Sequence, residues 1–276
     1  MSSATPAPGP VGDTLRCFVS RLGSVISFVS VSDGVHVLRH PVLDVNSTLV
    51  LGEEHALLVD TLSCSSQAIA LADAVRAVTH LPVIVVNTHV HFDHTFGNAA
   101  LSCRLGLTDF FAHPTVIDEL AYRAADVRAD AYRLCLRVAP DIADEVRDTE
   151  TLVPNRPVET QVDIPLGGRV ARVRHLGPAH TPGDLVVVAD DVVLAGDLVE
   201  EGAPPDTAGA DLDGWVNALD TLLPDMSGPV VPGHGAVVDA NFVRRQRDEL
   251  FAMARGKSAV SLRGVRTFSV VGGSQL

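Results

Sequence analysis

The sequence predicts an α/β fold, and three observations carry the expectation. Apolar runs of strand length recur along the chain, bounded by Gly, Pro and Asp. Helix-length windows fall between many of them, which is the alternation of an α/β core. Several of the runs end on a loop bearing histidine or aspartate, so the strands would serve as a rigid scaffold for a site.

Taken in order, residues 1–13 are small and Pro-rich and are expected to form a disordered arm. From Cys17 to Asp60 the pattern is that of an antiparallel meander. Its runs are Val25 to Val31, Val35 to Leu38, Ser47 to Leu51 and Ala56 to Val59, with turns at Gly34, Pro41 and Gly52. Asp60 ends the last run either as a helix cap or as a carboxylate supporting the site, and the second use is preferred. Ser65 and Ser66 offer N-caps for a helix to about Val78, with Ile69, Ala72, Val75 and Ala77 on its buried side. Val83-Ile84-Val85-Val86 reads as a buried strand, Asn98 to Leu105 as a short helix, and Asp109 to Ala112 as a short strand.

The stretch from 114 to 148 has another character. It is helical and rich in Ala, Arg and Asp, with Val116, Leu120, Tyr122, Val127, Tyr132, Leu136 and Val138 scattered along it and Pro140 breaking it. A surface helical pair and a cap shaping a substrate pocket account for it equally well. Strands return with Val162 to Ile164, Arg169 to His175, Asp184 to Val188 and Asp191 to Leu194. A helix over Leu212 to Leu223 carries Trp215, Pro229 to Val231 is a last short strand, and Asp239 caps a closing helix to Arg255. No linker divides residues 14–256, so they are expected to form one domain with a helical insertion at about 114–148, followed by a tail over 257–276.

Composition narrows the partners. The net charge of −13 argues against a nucleic-acid surface, because phosphate backbones are bound by basic patches that release counterions. The N-terminus lacks a basic stretch followed by an apolar run, so no signal peptide is read there. No run approaches the roughly 18 consecutive apolar residues of a membrane span. Cys17, Cys64, Cys103 and Cys135 are widely spaced without a CxxC and are expected to be reduced and mostly buried. Together these features predict a cytoplasmic protein whose partner is a small molecule, with no role for nucleic acid or membrane.

The chemistry is concentrated between Thr88 and Asn98. His89, His91, Asp93 and His94 fall within six residues directly after the Val83 run. His180 lies in the loop Gly177 to Gly183, Asp197 follows Val193-Leu194-Ala195-Gly196, and His234 lies in Pro232-Gly233-His234-Gly235. Each is an imidazole or carboxylate on a Gly-flanked loop hung from a buried strand. Nitrogen and carboxylate donors without a thiolate suit zinc, and also iron or manganese. Five histidines and two aspartates exceed the needs of one tetrahedral ion and match two. Such a pair, about 3.5–4 Å apart, needs a shared ligand, for which Asp197 is the candidate. Two dications less two carboxylates and a hydroxide leave the site cationic, so an anionic group on the substrate would be welcome despite the acidic surface. His36, His40, His55, His80, His113 and His175 stand alone and are read as structural.

At these residues the chain resembles the metallo-β-lactamase-fold hydrolase superfamily. The resemblance rests on His89-x-His91-x-Asp93-His94 with His180, Asp197 and His234, and extends from about Asp60 to His234. It implies a four-layered αββα sandwich of two mixed β-sheets flanked by helices, with the metals at one edge of the sheets. It also implies one Zn2+ on His89, His91 and His180, a second on Asp93, His94 and His234, and Asp197 between them, as in glyoxalase II-like members. The implied reaction is hydrolysis of a small ester-like bond, a thioester or lactone foremost, by a metal-bridging hydroxide, with Asp93 orienting the water and moving a proton. One major β-lactamase group has cysteine where this chain has Asp197, which counts against β-lactams. Flavodiiron-type members have Glu where this chain has His91, which counts against that redox branch. The alternatives are a mononuclear iron persulfide dioxygenase, a β-lactam hydrolase, and a non-catalytic metal-stabilised binding module.

Overall fold

The computed structural model describes residues 26–256. The N-terminal arm, Cys17, Val25 and the C-terminal tail lie outside the described residues.

Four strands open the described chain: β1 (Val29–Ser32), β2 (Val35–His40), β3 (Val45–Leu51) and β4 (Ala56–Val59). They form an antiparallel meander as expected. Gly34 takes the β1–β2 turn at φ 65°, where an L side chain would be strained. Strand β1 begins at Val29 rather than Val25, and residues 26–28 precede it without strand pairing. A crossover helix, α1 (Ser65–Val78), leads to β5 (Val83–Val86), which runs parallel to β4. After it come α2 (Phe92–Thr95), α3 (Asn98–Leu105), β6 (Phe110–Ala112), the insertion helices α4 (Pro114–Tyr122), α5 (Ala124–Val138) and α6 (Pro140–Asp148), and β7 (Arg156–Pro157). Strands β5, β6 and β7 are parallel neighbours. The second half holds β8 (Gln161–Pro165), β9 (Val170–His175), β10 (Leu185–Ala189), β11 (Val192–Glu200), α7 (Leu212–Leu222), β12 (Val230–His234) and α8 (Ala240–Ala254).

The strands make two mixed half-sheets joined by a single pairing, His234 with Val45. Strands β1 to β7 form one half. Strands β12-β11-β10-β9-β8 form the other, antiparallel except for the β11–β12 pair. The half-sheets face each other across one core, in which Val50, Leu57 and Val59 meet Ile164, Val173, Val187 and Leu194. On the outer face of the first, Leu58 and Val85 pack with Leu71 and Val75 of α1 and Leu101 of α3. On the outer face of the second, Val186 and Val193 pack with Trp215 and Leu219 of α7 and Val243 and Leu250 of α8. The result is the expected αββα sandwich. Its inner strands are apolar on both faces because both faces are covered, which is why β4, β5 and β10 read as continuous runs rather than as alternation. Each fully buried Leu there is worth about 1.5–3 kcal/mol relative to exposure.

Local differences from the sequence reading have simple causes. Cys64, not Ser65 or Ser66, occupies the N-cap of α1, and both serines lie inside the first turn. The helix buries the stripe Ala68, Leu71, Ala72 and Val75, which leaves Ile69 half-buried and Ala77 exposed. The insertion is three helices rather than a pair, because the chain leaves helical geometry at Arg123 (φ −129°, ψ 18°) between α4 and α5 as well as at Pro140, which starts α6 with a fixed φ suited to the first turn. Strand β11 runs on to Glu200 rather than stopping at Leu194, since it keeps a parallel partner in β12. Cys64 and Cys135 are buried free thiols, but Cys103 is disulfide-bonded, contrary to the expectation of reduced cysteines. No helix among the described residues is long and apolar enough to cross a membrane.

Candidate metal centre

All seven predicted ligand residues converge at one edge of the sandwich. They fall into two groups whose donor atoms lie within 4.8 Å of one another: His89, His91, His180 and Asp197, and Asp93, His94 and His234. His89 and His91 leave the end of β5, Asp93 and His94 sit on α2, and His180 lies in the β9–β10 loop. His234 ends β12. Asp197 lies inside β11 rather than at its end. It is turned toward the cluster where the β11–β12 register shifts at Gly196, whose φ is 53°.

Asp197 faces both groups. Its Oδ2 lies 3.5 Å from Nε2 of His89, 3.5 Å from Nε2 of His180 and 3.3 Å from Nε2 of His234, and its Oδ1 lies 3.3 Å from Nε2 of His94. Gly233 makes this position tenable. A Cβ there would come within 1.8 Å of Oδ1 of Asp197 and within 2.9 Å of its backbone nitrogen. Asp93 reaches the second group, with Oδ2 3.4 Å from Nε2 of His234.

The hydrogen bonds fix the imidazole tautomers. His94 donates from Nδ1 to Oδ2 of Asp60 at 2.7 Å, His234 from Nδ1 to the Leu43 carbonyl at 2.8 Å, and His180 from Nδ1 to the Asp206 carbonyl at 3.1 Å. Each acceptor has no proton to give, so the histidine must donate. Thr88 spends its hydroxyl proton on Oδ2 of Asp60, so its oxygen accepts from Nδ1 of His89 at 3.0 Å. Four histidines thus turn Nε2 toward the cluster. His91 is the exception, offering Nδ1, which lies 3.1 Å from Nε2 of His180. This is how metal-ligating histidines are oriented, through the second ring nitrogen. Nε2 of His89 is buried without a hydrogen-bond partner, an orphan that a cation would satisfy. The donor set therefore fits divalent metal.

Charge divides the cluster. Burial pushes His89 well below the ordinary histidine range and His180 down to about 4, and it also lowers His91. Burial acts against the charged form of His94 and His234 too, but there carboxylates win. Asp197, Asp60 and Asp93 raise His94 to about 10, and Asp197 and Asp93 raise His234 to about 9. Burial disfavours a charged Asp197, yet His94, His234 and His89 hold it well below the usual carboxylate range.

Asp60 is the supporting carboxylate rather than a helix cap. It accepts from Nδ1 of His94 and, at 2.8 Å each, from the backbone nitrogen and hydroxyl of Thr88. His113 caps α4 by accepting from the Thr115 nitrogen and stacks on His175 with centroids 4.1 Å apart, outside the cluster as expected of a structural histidine. Sequence reading missed the carbonyls of Leu43 and Asp206, which no residue type announces. It also missed Asn46, whose amide holds the His234 loop through the carbonyls of Pro232 and Gly235 at 2.9 Å each. Thr88 had a signal, since it directly precedes the ligand run.

A cavity of about 750 Å³ opens over the ligands. His91, Asp93, Asp197 and His234 form its floor, and Glu119, Arg123 and side chains of α5 form its wall. The insertion is therefore a cap beside the site. It is anchored by Val116, Leu120, Ala131 and Cys135 packing on Phe92 and Phe96 of the ligand loop.

A family model described as the metallo-beta-lactamase superfamily matches residues 40–234. No curated protein matches the sequence. Among solved structures, a metallo-beta-lactamase from Pontibacter korlensis superposes with a TM-score of 0.65 at 20% identity, covering 82% of this chain and 99% of that one. The structure titled TMB-1 gives 0.65 at 18% identity, with 84% and 100% covered. DIM-1 metallo-beta-lactamase gives 0.64 at 16%, with 83% and 99% covered. At these identities the structural likeness shows the fold.

Proposed function

The chain belongs to the metallo-β-lactamase superfamily, and from that premise we propose that it is a two-metal hydrolase of small ester-like bonds, thioesters or lactones foremost. The observation that carries the reading is Asp197, whose two oxygens address both histidine groups at 3.3–3.5 Å. One divalent ion, zinc by preference, would sit on His89, His91 and His180, a second on Asp93, His94 and His234, with Asp197 shared. Bound there, such ions supply Lewis acidity toward a carbonyl oxygen and acidify water toward neutral pH.

The chain's own residues set up the rest. Asp60, Thr88 and the carbonyls of Leu43 and Asp206 hold the imidazole rings in place, so no ring rotation is needed when a ligand arrives. Asp93 lines the cavity floor with Oδ2 in the cluster, where its carboxylate can orient a water and take its proton. The cap limits bulk water and orients the substrate's carbonyl over the floor. The substrate is a small molecule whose reacting end is anionic or becomes so, which a cationic floor favours.

The test is metal quantification on purified protein, coupled to a panel of thioesters, lactones and β-lactams. Two ions per chain with thioester or lactone turnover supports the reading. One iron per chain with oxygen uptake would replace it by a dioxygenase, turnover of β-lactams alone would move it to that substrate class, and full activity after metal stripping would end it.

A further inference from the structure

The trough above the metal centre is apolar on the cap side and acidic at its rim. Helix α5 presents Val127, Ala131, Leu134 and Val138 to it, spaced i, i+4, i+7 and i+11, which is one helical stripe that spans about 16 Å at 1.5 Å per residue. Phe92 and Leu43 face that stripe from the ligand side. Leu134 remains 36% exposed although it lines the cavity, so part of the stripe has no protein partner.

The charges around the stripe are predominantly acidic. Arg123 is the only Lys or Arg among the described residues lining the cavity. Its guanidinium is engaged by Glu119 at 3.0 Å and Asp126 at 3.7 Å. Asp130 and Asp206 line the same space. A carboxylate or phosphate carried far from the reacting carbonyl would meet these acids with no free cation among the described residues to offset them. The volume equals on the order of 25 waters at about 30 Å³ each, which suits a substrate of roughly 20 non-hydrogen atoms.

We propose that the substrate carries an uncharged apolar chain, laid along the Val127–Val138 stripe of α5, with any anionic character confined to the end at the metal ligands. The proposal rests on the hydrolase reading only for what happens at that end. Leu134 and Val127 are then specificity-determining residues. The chain would gain roughly fourfold in affinity for each methylene fully buried, until the trough is filled.

The test titrates non-hydrolysable probes into the metal-loaded protein by calorimetry: the methyl ketones 2-hexanone and 2-decanone, and the pair decanoate and decanedioate, whose first carboxylate takes the metal end. The expected result is binding of decanedioate weaker than decanoate, because its second carboxylate is carried into the acidic trough, and binding of 2-decanone at least about tenfold tighter than 2-hexanone. Leu134→Glu is expected to erase the same gain. Leu136→Glu, on an exposed side chain two residues away that does not line the cavity, is expected to keep it. Equal binding of the two neutral ketones, tighter binding of decanedioate than of decanoate, or an equal effect of the two substitutions would overturn the proposal. If the ketone pattern holds but no ester, thioester or lactone is turned over, the hydrolase reading fails and the trough assignment stands. If a short thioester is turned over but chain length gains nothing, the trough assignment fails alone.

Discussion

In the metal-free protein burial lowers His89 and His180, while carboxylates raise His94 and His234, a few ångströms away across Asp197. Burial is nearly the same for all four. What differs is the company of carboxylates. His94 has Asp60 behind it at 2.7 Å, and His234, though backed by the Leu43 carbonyl, has Asp93 at 3.4 Å, whereas His89 and His180 are backed by a hydroxyl and a carbonyl. A neutral backing leaves an imidazole ready to bind metal, and an anionic backing makes it more basic, both toward metal and toward protons. One half of the centre is preset for metal, and the other must first release protons.

The largest test of this contrast removes the residue common to both halves. Asp197→Ala is expected to lower turnover by about 10³-fold or more and to weaken both ions, read by metal content alongside hydrolysis. Loss of only one ion would show that the carboxylate is not shared. Next in size is Asp60→Ala, which removes the anionic backing of His94. We expect a roughly 10–100-fold loss of metal affinity, concentrated in the Asp93, His94 and His234 group. An equal loss in both groups would mean that Asp60 acts by holding Thr88 rather than His94.

The pH dependence comes third. In metal-free protein His94 and His234 have raised pKa values, so their contribution to stability is fully present below about 6.5 and is lost as pH rises through about 9 to 10. Metal competes with those same protons. Loading of this group should therefore strengthen with pH up to about 9–10 and release protons at pH 7, measured by calorimetry in buffers of different ionisation enthalpy. The His89, His91 and His180 group should be insensitive to pH above about 6.5. Metal uptake by both groups with one common pH profile would remove the distinction.

The smallest effect is a control outside the cluster. Burial lowers His113 to about 4, with His175 adding to the shift, so it resembles His180 without being a ligand. Its depressed value means stability present above about 6.5 and lost as pH falls toward 4. His113→Asn keeps a capping side chain and removes the titration. Unfolding should become less acid-sensitive by under about 1 kcal/mol, the group being partly solvent-screened, while metal affinity stays unchanged. A change in metal affinity would show that the β9–β10 loop is coupled to this pair.

Much of this centre is legible in the sequence. The ligands His89, His91, Asp93 and His94 crowd one turn-forming loop, Asp197 and His234 follow strongly apolar runs, and His180 lies on a Gly- and Pro-bearing loop after an alternating strand, so chain position marks them. Asp60 can be suspected because a carboxylate at the end of a buried run needs partners. The role of the insertion is not legible. Val127 and Val138 look alike whether α5 covers a pocket or merely caps the surface, since apolar spacing along a helix gives its face but not what that face meets. The α1 face departs from expectation for a related reason. Ile69 and Ala77 fit one helical stripe, but the sheet selects the adjacent one through Leu71 and Ala68.

By itself the sequence determined the donor residues and a layered α/β fold, because those depend on residue type and local period. Only the tertiary structure decided which nitrogen each histidine turns inward, since that depends on carbonyls such as those of Leu43 and Asp206, distant in the chain and identical in every residue. It also decided that Asp197 stands between the two histidine groups. That position exists because β11 and β12 lie side by side and Gly233 leaves room for the carboxylate.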